Sequence, residues 1–258
     1  MSQKKRVKTT IMSQTIIADN TYDLLLETDL ARDAKPGQFV ALYPNNAATL
    51  LPRPLSICEV DKDRGRLRLV YRVIGKGTRE FCSYHSGDKI EVLGVLGNGF
   101  PVEKANGKSV LIMGGGIGIP PMLQLAKELK ADEKIILGYR DENLFLLEEI
   151  SHYGKVYIAT EDGSVGSKGT VMDAISENNL SANIIMACGP LPMLRAVKKY
   201  AAENNIEAYI SLEERMACGV GACLGCVCKT KEVDRHANVN SARICVEGPV
   251  FEAKEVDI

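Results

Sequence analysis

Four cysteines fall within eleven residues of the C-terminal third: Cys218, Cys223, Cys226 and Cys228. Cys218, Cys223 and Cys226 follow the spacing C-x4-C-x2-C, the plant-type spacing for a [2Fe–2S] cluster. Three thiolates must converge on one small inorganic core, so the backbone between them has to wrap it tightly. Gly219, Gly221 and Gly225 permit the positive φ angles such wrapping needs. They also let backbone N–H groups approach the sulfurs, where hydrogen bonds tune a cluster.

Other uses of these thiols are open. A structural zinc site pairs two C-x2-C-like knuckles, and only Cys223 and Cys226 make one. A disulfide framework suits a small secreted domain rather than a chain of 258 residues. A thioredoxin-like pair opens a helix, which the glycines oppose; unligated thiols are the remaining reading. Residues two apart on an extended segment face opposite ways, so Cys226 and Cys228 do not serve one cluster together. Cys245, the only other cysteine beyond Cys228, is therefore the expected fourth ligand, and Cys228 is a spare.

Composition narrows the remaining classes. Lys and Arg total 32 against 33 Asp and Glu, a formal charge of −1, and no basic tract follows Lys4-Lys5-Arg6, so nucleic acid is not an expected partner. The next residues, Thr9 to Gln14, are too polar for a signal-peptide core. No apolar run approaches the ~18 residues of a membrane span. Eight cysteines then suggest a reducing cytoplasm, where thiolates stay available for metal.

From Lys8 to about Val102, short strand patterns alternate with the turn signals Lys35-Pro36-Gly37, Arg64-Gly65 and Ser86-Gly87-Asp88, which predicts a small antiparallel barrel. Arg53-Pro54-Leu55-Ser56 puts a guanidinium, a turn-forming proline and a hydroxyl within four residues. Gly75 to Thr78 leads into a short helix over residues 79–84 with Thr78 as the expected N-cap. An arginine and a helix N-terminus can clamp a pyrophosphate from two sides. After Gly107 the rhythm changes to strand–helix alternation, hence a parallel sheet covered on both faces. Strands are expected at residues 108–113, 134–140, 155–160 and 183–188, and helices at 122–129, 144–151, 170–178 and 191–204. The run Gly114-Gly115-Gly116-Ile117-Gly118-Ile119-Pro120 sits where a strand meets a helix, the context of a phosphate-binding turn. Pro120 departs from the usual dinucleotide fingerprint, but a first helical turn tolerates it.

Arg53-Pro54-Leu55-Ser56, Gly116-x-Gly118-x-Pro120 and Cys188-Gly189-Pro190-Leu191-Pro192-Met193 resemble the matching segments of the ferredoxin–NADP reductase family. The resemblance implies FAD at Arg53, Pro54, Leu55 and Ser56, with Tyr71, Arg72, Val73, Gly77 and Thr78 as further flavin contacts. The loop at Asn98 would close the barrel beside the flavin. It implies a nicotinamide dinucleotide at Gly114, Gly116, Gly118 and Pro120, with Cys188 and Gly189 near the nicotinamide. Asp162, in Glu161-Asp162-Gly163, would accept ribose hydroxyls and favour NAD; Arg140 pulls toward NADP.

The run from Ser211 to Cys223, with Cys226 and Cys245 before Glu247-Gly248-Pro249-Val250-Phe251, is similar to the electron-transfer subunits of dihydroorotate dehydrogenase type B. That resemblance covers nearly the whole chain. It implies a multidomain β plus α/β protein: an FAD-binding antiparallel β-barrel at 1–102, an NAD-binding parallel-sheet domain at 103–212 and a small [2Fe–2S] domain at 213–258. Cys218, Cys223, Cys226 and Cys245 would be the cluster ligands. The implied partner is an FMN-containing catalytic subunit, in a heterotetramer of two of each. His85, His152 and His236 are scattered and offer no dihydroorotate base; His236 and the charged segment 229–235 are expected to border the partner. Met216, Val220 and Leu224 are expected to be exposed for docking. The alternatives are a reductase subunit for ferredoxin, sulfide or hydrogenase chemistry and, in another class, a redox-sensing or zinc-binding regulator.

Overall fold

The computed structural model describes residues 4–129, 132–233 and 238–258. Its first part is a closed antiparallel barrel of β1 (Lys5–Ala18), β2 (Thr21–Glu27), β3 (Phe39–Tyr43), β4 (Arg53–Asp61), β5 (Arg66–Arg72) and β6 (Lys89–Leu96), in the order β1-β2-β5-β4-β3-β6. Period-2 alternation fills it. Leu24 and Leu26 stand opposite Leu69 and Leu67 across β2 and β5, all turned into the barrel core. Each such side chain withdrawn from water contributes roughly 1.5–3 kcal/mol.

β3 shows what lies outside. Val40 and Leu42 point into the barrel, while Phe39 and Ala41 join a second apolar cluster that also holds Leu93, Leu96, Cys226, Cys245 and Ile185. One continuous core therefore runs from the barrel's outer wall, past two cysteines of the C-terminal segment, to the face of the next sheet.

Two local expectations are corrected. Arg53-Pro54-Leu55-Ser56 is not a turn; it opens β4 and pairs with β3, Pro54 opposite Ala41. β4 meets β5 only from Ile57 onward, so Pro54 stands on a free edge where a missing N–H is tolerated. The short helix α1 (Lys76–Phe81) starts three residues earlier than expected, with Gly75 at the N-cap. Thr78 lies inside its first turn, and its Oγ1 accepts from the N–H groups of Ile74 at 3.1 Å and Gly75 at 3.2 Å.

The second part alternates β7 (Ser109–Gly115), α2 (Pro120–Glu128), β8 (Asp132–Tyr139), α3 (Leu147–Ser151), β9 (Lys155–Thr160), β10 (Ser167–Lys168), α4 (Val171–Glu177), β11 (Ile184–Cys188), α5 (Leu191–Glu203) and β12 (Glu207–Ser211). The strands stand parallel in the order β10-β9-β8-β7-β11-β12. The C-terminal segment carries β13 (Val227–Thr230), β14 (Ser241–Arg243), β15 (Val250–Glu252) and β16 (Val256–Asp257). β13, β14 and β16 form a small sheet, but β15 runs antiparallel along β12 and closes the edge of the larger one.

Barrel and α/β part are locked by polar contacts over β4. Buried Gln124 on α2 accepts the Val60 N–H at 2.8 Å, and Lys127 meets Glu59 at 2.8 Å. Arg68 on β5 is the hub: Nη2 donates to Asp23 at 2.7 Å and to Glu149 of α3 at 3.0 Å, and Nη1 reaches Glu59 at 3.4 Å. Its side chain is 15% exposed. Removing it leaves carboxylates in a poorly solvated junction without their counter-charge, and breaking such a pair from one side costs about 3 kcal/mol. Arg68→Ala should lower unfolding stability by that amount in urea titrations of the flavin-loaded protein, and Arg68→Lys should recover part of it.

Candidate functional site

The first site lies where β4 begins. Arg53 Nη1 donates to the Leu51 carbonyl at 2.6 Å, which holds the guanidinium over the first turn of α1. A Cβ built on Gly77 would lie 2.4 Å from Arg53 Nε and 2.7 Å from Cζ, so only glycine lets the two approach this closely. The first main-chain donor used inside α1 is the Arg79 N–H, to Gly75 O at 2.9 Å. The N–H groups of Lys76, Gly77 and Thr78 are thus free for an outside acceptor beside the guanidinium. Ser56 is half-buried on the same strand, next to Phe39 in the ladder. Tyr71, expected at the flavin, instead turns its ring into the barrel core, stacks on Tyr22 at 5.6 Å and donates to Gln14 Oε1 at 2.9 Å. Strand alternation puts Arg72 on the other face, exposed.

Arg72 and Val73 line one wall of a cleft of about 670 Å³ between barrel and parallel sheet. Asp19 and Asn20, from the β1–β2 turn, stand beside them; Gly115, Gly116, Arg140, Asp141, Glu161, Thr170 and Met193 line the opposite side. The glycine turn divides its work. Gly116 faces the cleft, whereas a Cβ on Gly118 would meet the Cys188 carbonyl oxygen at 2.4 Å, so Gly118 seats the turn on β11. Gly114 lies against Ile119 and Pro120 is buried at the first position of α2.

Four residues expected at the cofactors are not among those lining the cleft. Cys188 is 1% exposed under the turn, where burial pushes its thiol up to about 12. Gly189 is packed against Met193; the cleft is lined by Pro190 instead. Asp162 is off the lining because its Oδ1 closes a local turn, accepting from Ser164 N at 2.9 Å and Ser164 Oγ at 2.7 Å. Those bonds hold its carboxyl below the usual range. Glu161 faces the cleft in its place. Asn98 tethers the C-terminal segment: its Nδ2 donates to Val246 O at 3.2 Å and Glu247 O at 2.9 Å, and its N–H to Gly248 O at 2.6 Å.

The cysteine segment wraps as a loop from residue 217 to Cys226 without helix or strand. Gly219 and Gly221 have φ of +67° and +84°. Gly219 sits on the outer barrel wall, where a Cβ would be 3.2 Å from Leu96 Cδ1. Val220 N–H points at Cys218 Sγ, 3.4 Å away. Burial pushes the Cys218 thiol up, but the N–H groups of Val220 and Cys223 outweigh it and hold the thiol down to about 6. Burial and the hydrogen bond with Cys226 push Cys245 up to about 12. Cys218 interacts with Cys223, and Cys245 with both Cys226 and Cys218, while among the described residues no three His, Cys, Asp or Glu side chains are gathered as a ready ligand set. Four thiols and amide donors aimed at sulfur are nevertheless the donor set that iron–sulfur chemistry requires.

Cys226 and Cys245 are buried, Cys218 is half-buried and Cys223 is exposed. Val220 and Leu224 are exposed, the latter at 61%; Met216, expected beside them, is half-buried against the core. Cys228 is half-buried in β13, paired with Ala242. His236 and the end of the charged segment, Asp234 and Arg235, lie outside the described residues.

Comparison with known proteins agrees with these sites. Residues 213–257 match the family described as the iron–sulfur cluster binding domain of dihydroorotate dehydrogenase B. Residues 112–199 match the oxidoreductase NAD-binding domain. The dihydroorotate dehydrogenase B (NAD(+)) electron-transfer subunit of Bacillus velezensis is 42% identical, over 98% of this chain and 99% of that one. Its namesake from Listeria innocua is 44% identical over 96% and 97%. The chain belongs to this family of electron-transfer subunits.

Among solved structures, an NADH-dependent reduced ferredoxin-NADP oxidoreductase studied for flavin-based electron bifurcation superposes with a TM-score of 0.86 at 29% identity, over 96% of this chain and 89% of that one. A ferredoxin NADP⁺ reductase from Neisseria gonorrhoeae shares the fold at 17% identity and TM-score 0.65, over 77% and 91%. FAD, a [2Fe–2S] cluster and NAD are the cofactors of such a subunit, and the residues present suit each of them.

The Arg53–Gly77 approach generates a direct test. In Gly77→Ala the new methyl displaces the guanidinium, a flexible side chain that can move without unfolding the barrel. Losing one charge-assisted bond costs about 1.5–3 kcal/mol, so FAD should bind roughly tenfold to a hundredfold more weakly in fluorescence titrations, with unchanged far-UV circular dichroism.

Proposed function

We propose that this chain passes electrons from an FMN-containing catalytic subunit, which oxidises dihydroorotate to orotate, to NAD⁺ in pyrimidine biosynthesis. When bound, the cluster supplies one-electron transfer, FAD the exchange between single electrons and pairs, and NAD⁺ the hydride acceptor. Arg53 and the first turn of α1 bind the flavin pyrophosphate; Ser56 and the 72–73 strand end border its ring. Gly116 and the turn before α2 take the dinucleotide phosphates in the cleft that Arg72 and Val73 share. Glu161, facing that cleft, supports NAD over NADP. Cys218, Cys223, Cys226 and Cys245 hold the cluster.

The observation that carries this reading is the orientation of the cysteine loop. Its inner side rests on Leu96 of the barrel wall, and its outer side exposes Cys223, Leu224 and Val220. One side suits exchange with the flavin domain and the other suits a redox partner. We place the assembly in the cytoplasm as two copies of each subunit; the eight unpaired cysteines support a reducing compartment.

Co-purification from the native host with identification of the bound partner tests the proposal. An FMN-containing dihydroorotate dehydrogenase subunit is the expected result, and a glutamate-synthase-like or hydrogenase subunit would overturn it. Cys223→Ser should abolish the [2Fe–2S] absorption while NADH still reduces the flavin in stopped-flow traces. Loss of FAD together with the cluster would show that the cluster ligands and the flavin site do not act independently.

A further inference from the structure

Beside the cysteine loop, with side chains 39% and 37% exposed, stands an ion pair that the relay so far leaves without a role. Arg243 Nε lies 3.1 Å from both carboxylate oxygens of Glu247, and its Nη2 also meets Oε1. The Arg243 N–H donates to Glu247 Oε2 at 2.7 Å. The same guanidinium reaches into the loop, where Nη1 donates to the Gly221 carbonyl at 3.2 Å. Gly221 lies midway between Cys218 and Cys223, and a Cβ there would stand 2.6 Å from Val246 Cγ2 and 3.3 Å from Arg243 Nη1. Val246 and Glu247 are in turn the residues whose carbonyls accept from Asn98. Fixed charges of opposite sign thus sit beside the loop, in a segment that Asn98 ties to the barrel.

We propose that Arg243 and Glu247 form a positioning pair that sets the reduction potential of the cluster. Arg243 fixes the Gly221 carbonyl, and the balance of the two charges fixes the local field. The inference rests on the four cysteines being the ligands. An added electron is stabilised by nearby positive charge and opposed by negative charge, and net charge near a cluster is one of the determinants of its potential. The two residues carry opposite charges, so neutralising one or the other changes the local field in opposite directions.

The experiment is redox titration of the cluster, followed by its EPR signal, in the full chain loaded with FAD and iron, with flavin potential as internal control. Arg243→Gln should move the cluster potential negative and Glu247→Gln should move it positive. The double variant and Arg243→Lys should both lie near wild type. Wild-type potentials in both single variants, or shifts of the same sign, would overturn the proposal. So would loss of iron from Arg243→Lys and Glu247→Gln with the flavin retained, because the pair would then only hold the loop. Failure of the ligand assignment would register separately, as normal iron content in Cys218→Ser and Cys223→Ser.

Discussion

The arrangement depends on one clasp. Asn98, just after the last barrel strand, gives its side-chain amide to two carbonyls of the segment that follows Cys245, and its backbone N–H to a third. Three hydrogen bonds to successive carbonyls fix a loop in both position and rotation, which a single bond cannot do. The neighbouring Gly97 fits against Pro249 so closely that a Cβ would lie 2.5 Å from Cδ. Barrel and cysteine segment, over a hundred residues apart in sequence, therefore meet at a fixed distance. A relay that hands electrons from loop to barrel needs that constancy more than it needs any individual apolar contact.

The same logic explains why the barrel wall is buried on both sides. Val40 and Leu42 fill the interior and Phe39 and Ala41 the outer core, so β3 reads as a continuous apolar run rather than an alternating one. Outer-core Leu93 and Leu96 receive the cysteine loop, while the far side of the barrel receives α2 and α3 through Gln124 and the Arg68 hub. β15 extends the parallel sheet from within the C-terminal segment. The three parts are stitched by chain crossing as well as by packing, so the cysteine segment has no closed core of its own.

What the sequence made legible was whatever is enforced locally. Cysteine spacing, strand alternation before residue 100 and strand–helix alternation after it each follow from geometry within a few residues, and the barrel, the sheet and the loop agree with them. The differences share a cause: a residue's own signal is overridden by the partner the fold supplies, near or far along the chain. Pro54 signals a turn, but β3 offers an edge on which it pairs. Thr78 has the chemistry of an N-cap, but its hydroxyl reaches back to Ile74 and Gly75. The loop at Asn98 is expected to close the barrel, and its side chain also serves Val246 and Glu247, almost 150 positions away. Asp162 looks like a ribose acceptor until Ser164 occupies its carboxylate. Cys188 stands at the right strand end but beneath the turn. Arg243 carried no sequence signal beyond its four-residue spacing from Glu247, which on a helix would mean a surface pair.

Burial across the cysteine loop is graded, and the gradient has a direction. Cys245 and Cys226 are at most 2% exposed and share the core with the barrel wall, whereas Cys223 and its neighbour Leu224 face outward. A cluster held by all four would have one low-dielectric side packed against protein and one side that only a partner can dry. Charges act strongly through the first and are screened by solvent at the second. Docking of a partner over Val220 and Leu224 would remove that screening, so charges beside the loop would be felt most when the relay is assembled. Arg243 and Glu247 sit beside the loop in the segment that Asn98 holds, which ties the cluster's environment to the subunit's own fold.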